Sequence, residues 1–270
     1  MKIVLIHGLY LTSDSWSGWL ERFREQGVDV IAPPWPGLDR SVEALRDDPA
    51  PLKRLNIETV VGHYDRIVRE LDEPPIIVGH SFGGLFAQIL AYRGLGAAVV
   101  SLHGVAPAGV LDLPFSTLKA SAPVLANPFN IGGATMLTPE QFHYAFTTPL
   151  TAEEARPLYE RYAIPACNRI LFEGAFENFT PHSPARVDVR TQRPPVLLVT
   201  GTEDRLVTAG YTRSNYKLIA QSPSLTAFRE FPGRPHFTGA VPGWEEVADF
   251  VLDWALHPRP GEPDGALHAR

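Results

Sequence analysis

The stretch Pro75-Ile76-Ile77-Val78-Gly79-His80-Ser81-Phe82-Gly83-Gly84 decides how the rest of the chain is read. An apolar run passes through a Gly-x-Ser-x-Gly turn into Leu85, Phe86, Ile89 and Leu90, which recur at helical spacing. A strand that turns so sharply into a helix holds its serine at positive φ. The residues two before and two after that serine must then lack side chains. Gly79 and Gly83 occupy those positions. Ser81 is thus predicted at the head of a helix, where the dipole and the free N–H groups favour negative charge. A purely structural Gly-Ser-Gly loop has the same pattern, but the apolar strand before it and the helix after it favour a mount for a nucleophile.

Outward from this turn, strand and helix patterns alternate. Residues 2–6 form a continuous apolar run, as expected of a strand buried on both faces of a parallel sheet. His7-Gly8-Leu9-Tyr10 follows as a loop. Ser13 or Asp14 is positioned to cap a helix bearing Trp16, Trp19, Leu20 and Phe23, which Gly27 stops. A strand is predicted at 28–32, a polar, proline-marked loop up to Asn56, and a helix at 57–71 carrying Val60, Val61, Tyr64, Ile67 and Val68. The turn at Ser81, a helix to Tyr92 and a strand at 97–102 continue the series, which implies an α/β fold with a mostly parallel, doubly wound sheet.

From Leu111 to Arg186 this rhythm breaks. Thr138-Pro139-Glu140-Gln141 and Thr151-Ala152-Glu153-Glu154 read as capping boxes, so this stretch is expected to be a helical insertion, a cap or lid. It is rich in aromatics, among them Phe115, Phe129, Phe142, Phe146, Phe176 and Phe179, which either line an apolar cavity or pack the cap on the core. The sheet resumes at 195–200, with a helix at 211–220, a strand at 225–231 and a last amphipathic helix at 244–256. The expected organisation is a core in two parts, 1–110 and 187–257, interrupted by the cap at 111–186 and followed by a disordered tail at 258–270.

Composition narrows the function. A hydrophobic share of 44% and a charged share of 20% are those of an ordinary globular protein. The 24 Lys and Arg are scattered among 30 acids, giving net charge -6 with no basic face, so no nucleic-acid partner is expected. The opening apolar run ends too early for a signal peptide, and no run approaches the ~18 apolar residues of a membrane span. The one cysteine, Cys167, excludes an internal disulfide and suits a cytoplasmic location. No metal cluster, His-Glu-x-x-His, phosphate loop or dinucleotide fingerprint occurs, so neither a metal nor a cofactor is expected.

A serine hydroxyl is a weak nucleophile at neutral pH and needs a base, which in turn needs an orienting group. Asp204, in Gly201-Thr202-Glu203-Asp204, and His236, in Arg234-Pro235-His236-Phe237, each follow a predicted strand, as Ser81 does. That is where functional loops of open α/β sheets lie. Glu203 competes with Asp204 for the acid role. His7, His80 and His103 fall near the same edge and read as packing or pocket-lining groups, His103 being the first candidate among them to meet substrate.

Through its His-Gly loop after the first strand, the Gly-His-Ser-Phe-Gly turn, the Gly-Thr-Glu-Asp turn and the late His-Phe, the chain resembles the α/β-hydrolase superfamily over residues 2–256. The resemblance implies an α/β-hydrolase fold with an inserted helical cap. It also implies a catalytic triad of Ser81, His236 and Asp204, with an oxyanion hole formed by the backbone N–H groups of Phe82 and Leu9. Tyr10, His103, Phe142, Phe146 and Phe237 are candidates for the substrate pocket. The implied activity is that of a serine hydrolase, an esterase cleaving carboxylic esters of small to medium apolar substrates through an acyl-enzyme, as a monomer or homodimer with a small-molecule ester as its partner. The same triad also serves cofactor-free perhydrolases (haloperoxidases) and C–C bond hydrolases, and ligand receptors occur on this fold. Gly8 and Phe237 stand where hydroxynitrile lyases carry threonine and lysine, which argues against cyanohydrin cleavage.

Overall fold

A computed structural model describes residues 1–112 and 114–261. The last nine residues of the expected tail lie outside the described residues. Its first residues fold back on the final helix, where the Trp254 indole N–H donates to the carbonyl of Arg259.

The sheet has six strands, all parallel. They are β1 (Lys2–Ile6), β2 (Asp29–Ile31), β3 (Ile76–His80), β4 (Ala98–Leu102) and, after two short strands β5 (Ala134–Thr135) and β6 (Ala166–Cys167), β7 (Val196–Gly201) and β8 (Thr226–Phe231). Their spatial order is β2-β1-β3-β4-β7-β8, so the chain winds outward in both directions from β1 and β3. Alternate residues of one strand serve two cores. Val4, Ile6, Ile77 and Val99 face one, and Ile3, Leu5, Ile76, Val78 and Val100 face the other. This explains the unbroken apolar runs in the sequence: a strand covered on both faces has no polar side. Each such side chain, fully buried, contributes ~1.5–3 kcal/mol.

Helices α1 (Ser17–Glu25), α2 (Val42–Asp47), α3 (Ile57–Arg69) and α4 (Phe82–Tyr92) precede β4 or link it to the earlier strands. Trp19 and Phe23 of α1 pack on one face, while Val60, Tyr64 and Val68 of α3 and Leu85, Phe86 and Ile89 of α4 pack on the other. The predicted cap of α1 shifts by one position: the Thr12 hydroxyl accepts from the Asp14 N–H and opens a 3-10 turn that leads into the helix. In the stretch read as a loop, Ser41 caps α2, a helix of six residues that is too short to register as a periodicity but buries Val42 and Leu45.

Between β4 and β7 lie α5 (Phe115–Leu125), α6 (Pro139–Phe142), α7 (Ala152–Tyr162) and α8 (Asn168–Ala175). Both capping boxes form, at Thr138/Gln141 and Thr151/Glu154. The helix α6 runs on as one turn of π-helix, His143–Thr147. The Arg46 side chain reaches across from α2 to the carbonyls of Tyr159 and Ala163 at 2.9 and 2.8 Å. The chain then completes the two cores with α9 (Ala209–Ile219) and α10 (Trp244–Leu256). Among the described residues no helix is long and apolar enough to cross a membrane.

Candidate active site

Ser81 sits between the end of β3 and the start of α4 with φ 56° and ψ -121°, a conformation costing ~1–3 kcal/mol. The glycines make it possible. A Cβ on Gly79 would stand 2.0 Å from the Gly83 carbonyl oxygen, and one on Gly83 would stand 2.2 Å from that of Ile6. The turn is held from outside by the Ser81 N–H, which donates to Leu102 O at 3.0 Å.

The loops after β7 and β8 bring Asp204 and His236 to this serine. The Ser81 hydroxyl lies 3.0 Å from His236 Nε2, and His236 Nδ1–H donates to Asp204 Oδ2 at 2.8 Å. That bond leaves Nε2 as the acceptor for the hydroxyl proton. The other carboxylate oxygen of Asp204 accepts the N–H groups of Leu206 and Val207, each at 2.8 Å. Burial would raise the Asp204 carboxyl, but the neighbouring imidazoles of His236 and His103 outweigh it and hold the group well below the usual carboxylate range. Asp204 rather than Glu203 therefore meets the imidazole. The His236 loop is pinned on several sides: Arg234 O accepts from Glu203 N–H at 3.1 Å, Phe237 N–H donates to Phe146 O at 2.8 Å, and the Thr238 hydroxyl donates to Pro235 O at 2.6 Å.

The three other histidines near this edge are structural in their contacts. His7 stacks on Trp35 with ring centroids 4.8 Å apart; its Nε2 accepts the Trp35 N–H at 3.3 Å and its Nδ1–H donates to Gly8 O at 3.0 Å. Burial pushes it down to about 4 against the Gly8 hydrogen bond, so it is neutral. His80 is lowered well below its ordinary value by burial and then by the imidazoles of His236 and His103. His103 does not reach substrate space as expected. It is fully buried, and its Nδ1–H donates to Asp204 Oδ2 at 2.7 Å. His103, Asp204 and His236 bring three potential metal-ligand atoms within 4.8 Å of one another. Both nitrogens lie at hydrogen-bond distance from the same oxygen, Asp204 Oδ2, so the three groups are paired with one another by hydrogen bonds.

A cavity of about 250 Å³ opens from Ser81 beneath α5 and α8. Leu9, Tyr10, Phe82 and Phe146, all expected near substrate, line it. Phe82 is the first residue of α4, so its N–H has no carbonyl a turn earlier to bond. The Leu9 loop passes close by: a Cβ on Gly8 would stand 2.8 Å from the Cβ of Ser81. Phe142 and Phe237 stand off the wall. Phe142 is fully buried and stacks on Phe146 at 4.7 Å, and Phe237 packs against both rings from the core. The remaining lining includes Thr117, Leu118, Ser121 and Leu125 of α5, Leu171 of α8, and Phe176, Phe179, Leu206 and Tyr211. The α5 residues recur at intervals of three and four, so a helix traced over that stretch would have exposed the face. Phe115 and Phe129 point to solvent, 79% and 98% exposed.

The fold is that of an α/β-hydrolase, with a serine, a histidine and an aspartate chained by hydrogen bonds at the carboxyl edge of its parallel sheet. A family model described as the alpha/beta hydrolase family matches residues 3–259, and the chain belongs to that family. No curated protein matches it. Among solved structures it is similar to a monoacylglycerol lipase of Paleococcus ferrophilus, with 20% identity, 94% of this chain and 93% of that one covered, and a TM-score of 0.65. It is also similar to a pyrethroid hydrolase of Sphingobium faniae, with 17% identity, coverage of 96% and 98% and a TM-score of 0.67. An extracellular α/β-hydrolase of a Paenibacillus species has 18% identity, coverage of 94% and 98% and a TM-score of 0.68. At such identities the likeness speaks for the fold.

Proposed function

We propose that the protein is a serine carboxylic ester hydrolase for small to medium, uncharged apolar esters, with residues 111–186 as its cap. The observation that carries this reading is the unbroken hydrogen-bond chain from Ser81 through His236 to Asp204, which ends on the wall of the cavity. Among the described residues no charged side chain lines that cavity, and at about 250 Å³ it falls at the small end of the ~300–1,000 Å³ common for ligand pockets. Similar structures include a monoacylglycerol lipase, a polyneuridine aldehyde esterase and an Arabidopsis methylesterase, which supports an ester as substrate.

In this mechanism His236 Nε2 takes the hydroxyl proton as Ser81 Oγ bonds to the ester carbonyl carbon. Asp204 holds the imidazole in the tautomer this requires and stabilises the imidazolium. The backbone N–H groups of Phe82 and Leu9 receive the oxyanion, where loss of one donor costs ~3 kcal/mol. Collapse breaks the bond to the alcohol, which leaves with the proton from His236. Water, deprotonated by the same nitrogen, then cleaves the acyl–Oγ bond and restores the hydroxyl.

A panel of aryl esters of increasing acyl length, assayed on the wild type and on Ser81→Ala, tests this. Turnover that vanishes in the variant, with acyl label on Ser81 in the wild type, is expected. A Ser81→Ala protein that cleaves esters at the wild-type rate sinks the assignment.

A further inference from the structure

Among the described residues, three that are not glycine have positive φ: Tyr10 at 68°, Ser81 at 56° and His103 at 48°. All three belong to one neighbourhood. Such backbone strain persists only where the surroundings over-determine it, and it concentrates at functional sites. Tyr10 and Ser81 face the cavity. His103 faces the other way, and its strained backbone aims the imidazole at Asp204 from behind. Its Nδ1–H donates to Oδ2 at 2.7 Å, and the same oxygen accepts His236 Nδ1–H at 2.8 Å. The far nitrogen of His103, Nε2, is buried without a hydrogen-bond partner among the described residues. Leaving a buried polar atom unpaired costs about 1–3 kcal/mol. Packing alone gives no reason to keep a histidine there rather than an apolar side chain.

We propose that His103 is a positioning residue for the acid of the triad: it holds Asp204 Oδ2 in place and draws off part of the charge on which His236 depends. The inference rests on the ester-hydrolase reading of the site. With His103 present, the Asp204 carboxylate accepts four N–H groups, two on each oxygen. Burial keeps His103 neutral, the pull of Asp204 in the opposite direction being weaker. A neutral imidazole donates without cancelling the acid's negative charge. The other titratable group beside both rings is His80, with centroids 4.9 Å from His236 and 6.3 Å from His103. Glu203 and Arg205 flank Asp204 in the chain, and the Arg205 guanidinium lies over the Tyr144 ring. The remaining rings packed on His236 are apolar, with Phe146 at 5.2 Å.

A carboxylate with one donor fewer stabilises the imidazolium of His236 more strongly, so a lower proton concentration suffices to block it as a base. Removing the His103 donor therefore moves the acid limb of the kcat/KM profile to higher pH. The test compares His103→Leu, which lacks the donor, with His103→Asn, whose amide nitrogen occupies the position of Nδ1 and whose residue type tolerates positive φ. The leucine variant is expected to shift the acid limb up by about half to one pH unit, while the asparagine variant keeps the wild-type limb. Two limbs that superimpose on the wild type, or that move together, overturn the inference. Proton NMR of nitrogen-15-labelled protein gives a second readout that needs neither turnover nor the leucine variant. The wild type is expected to show two far-downfield imidazole N–H signals, one of which is lost in His103→Asn. A single such signal in the wild type overturns the inference. Two signals in a protein that hydrolyses no ester would uphold the shared carboxylate and count against the hydrolase reading instead.

Discussion

His80 donates its Nε2–H to the main-chain carbonyl of His236 across 2.8 Å, so the residue just before the nucleophile fixes the backbone of the residue proposed as its base. The two rings lie tilted at 4.9 Å. Burial, and then the imidazoles of His236 and His103, keep His80 neutral, so the tether is a neutral hydrogen bond.

Replacing His80 by leucine removes that tether. A lost neutral hydrogen bond of ~1 kcal/mol converts to a fall in kcat of about five- to tenfold, with KM little altered. His80→Gln, which offers an amide N–H at similar reach, is expected to recover most of the loss. Steady-state kinetics on both variants check this, and equal defects in the two would refute the tether.

Ser121 lies on the α5 wall of the cavity and is buried. A phenylalanine there would fill space that longer acyl or alcohol groups need, and leave room near Ser81 for short ones. The Ser121→Phe variant is expected to lose about tenfold or more in kcat/KM for long-chain aryl esters while retaining acetate hydrolysis. A chain-length profile unchanged from the wild type would show that substrate takes another route.

Glu177 is 2% exposed, and its Oε2 has no hydrogen-bond partner among the described residues. Burial pushes its carboxyl up to about 9, only partly opposed by Arg186. The folded value is thus raised above the unfolded 4.5. The folded chain keeps its proton while the unfolded chain releases it, and stability falls as pH rises from about 4.5 towards 9. Glu177→Gln cannot ionise. Relative to the wild type it is expected to gain on the order of 3 kcal/mol at pH 7 and little at pH 4, as read by urea midpoints at the two pH values. A gain that is the same at both would disprove the titration.

Much of this arrangement was legible in the sequence. The two glycines around Ser81 mark a turn that only small residues permit, and the positions of Asp204 and His236 after late strands put them at the edge where the structure joins them. What stayed hidden depended on direction rather than type. Phe142 and Phe176 are both aromatics of the insertion, yet one is sealed in the core and the other lines the cavity mouth at 51% exposure. No periodicity separates them, because Phe142 ends a helix of four residues and Phe176 caps the end of one of eight. His103 was misjudged for a related reason. A strand ending at Leu102 predicts that the next side chain, His103, lies near the site, but its positive φ turns the ring behind the acid.

The Arg46 guanidinium bonds the carbonyls at the end of α7, Ile164 N–H bonds Tyr10 O, and Phe237 N–H bonds Phe146 O. These stitches tie the insertion to α2 and to the loops that carry Tyr10 and His236. On the side of α5, among the described residues, one side-chain hydrogen bond runs to the core, from the Thr117 hydroxyl to Leu206 O. The α5 wall is thus the more lightly tethered side of the vestibule, and the more heavily bonded side is the one that steadies the imidazole.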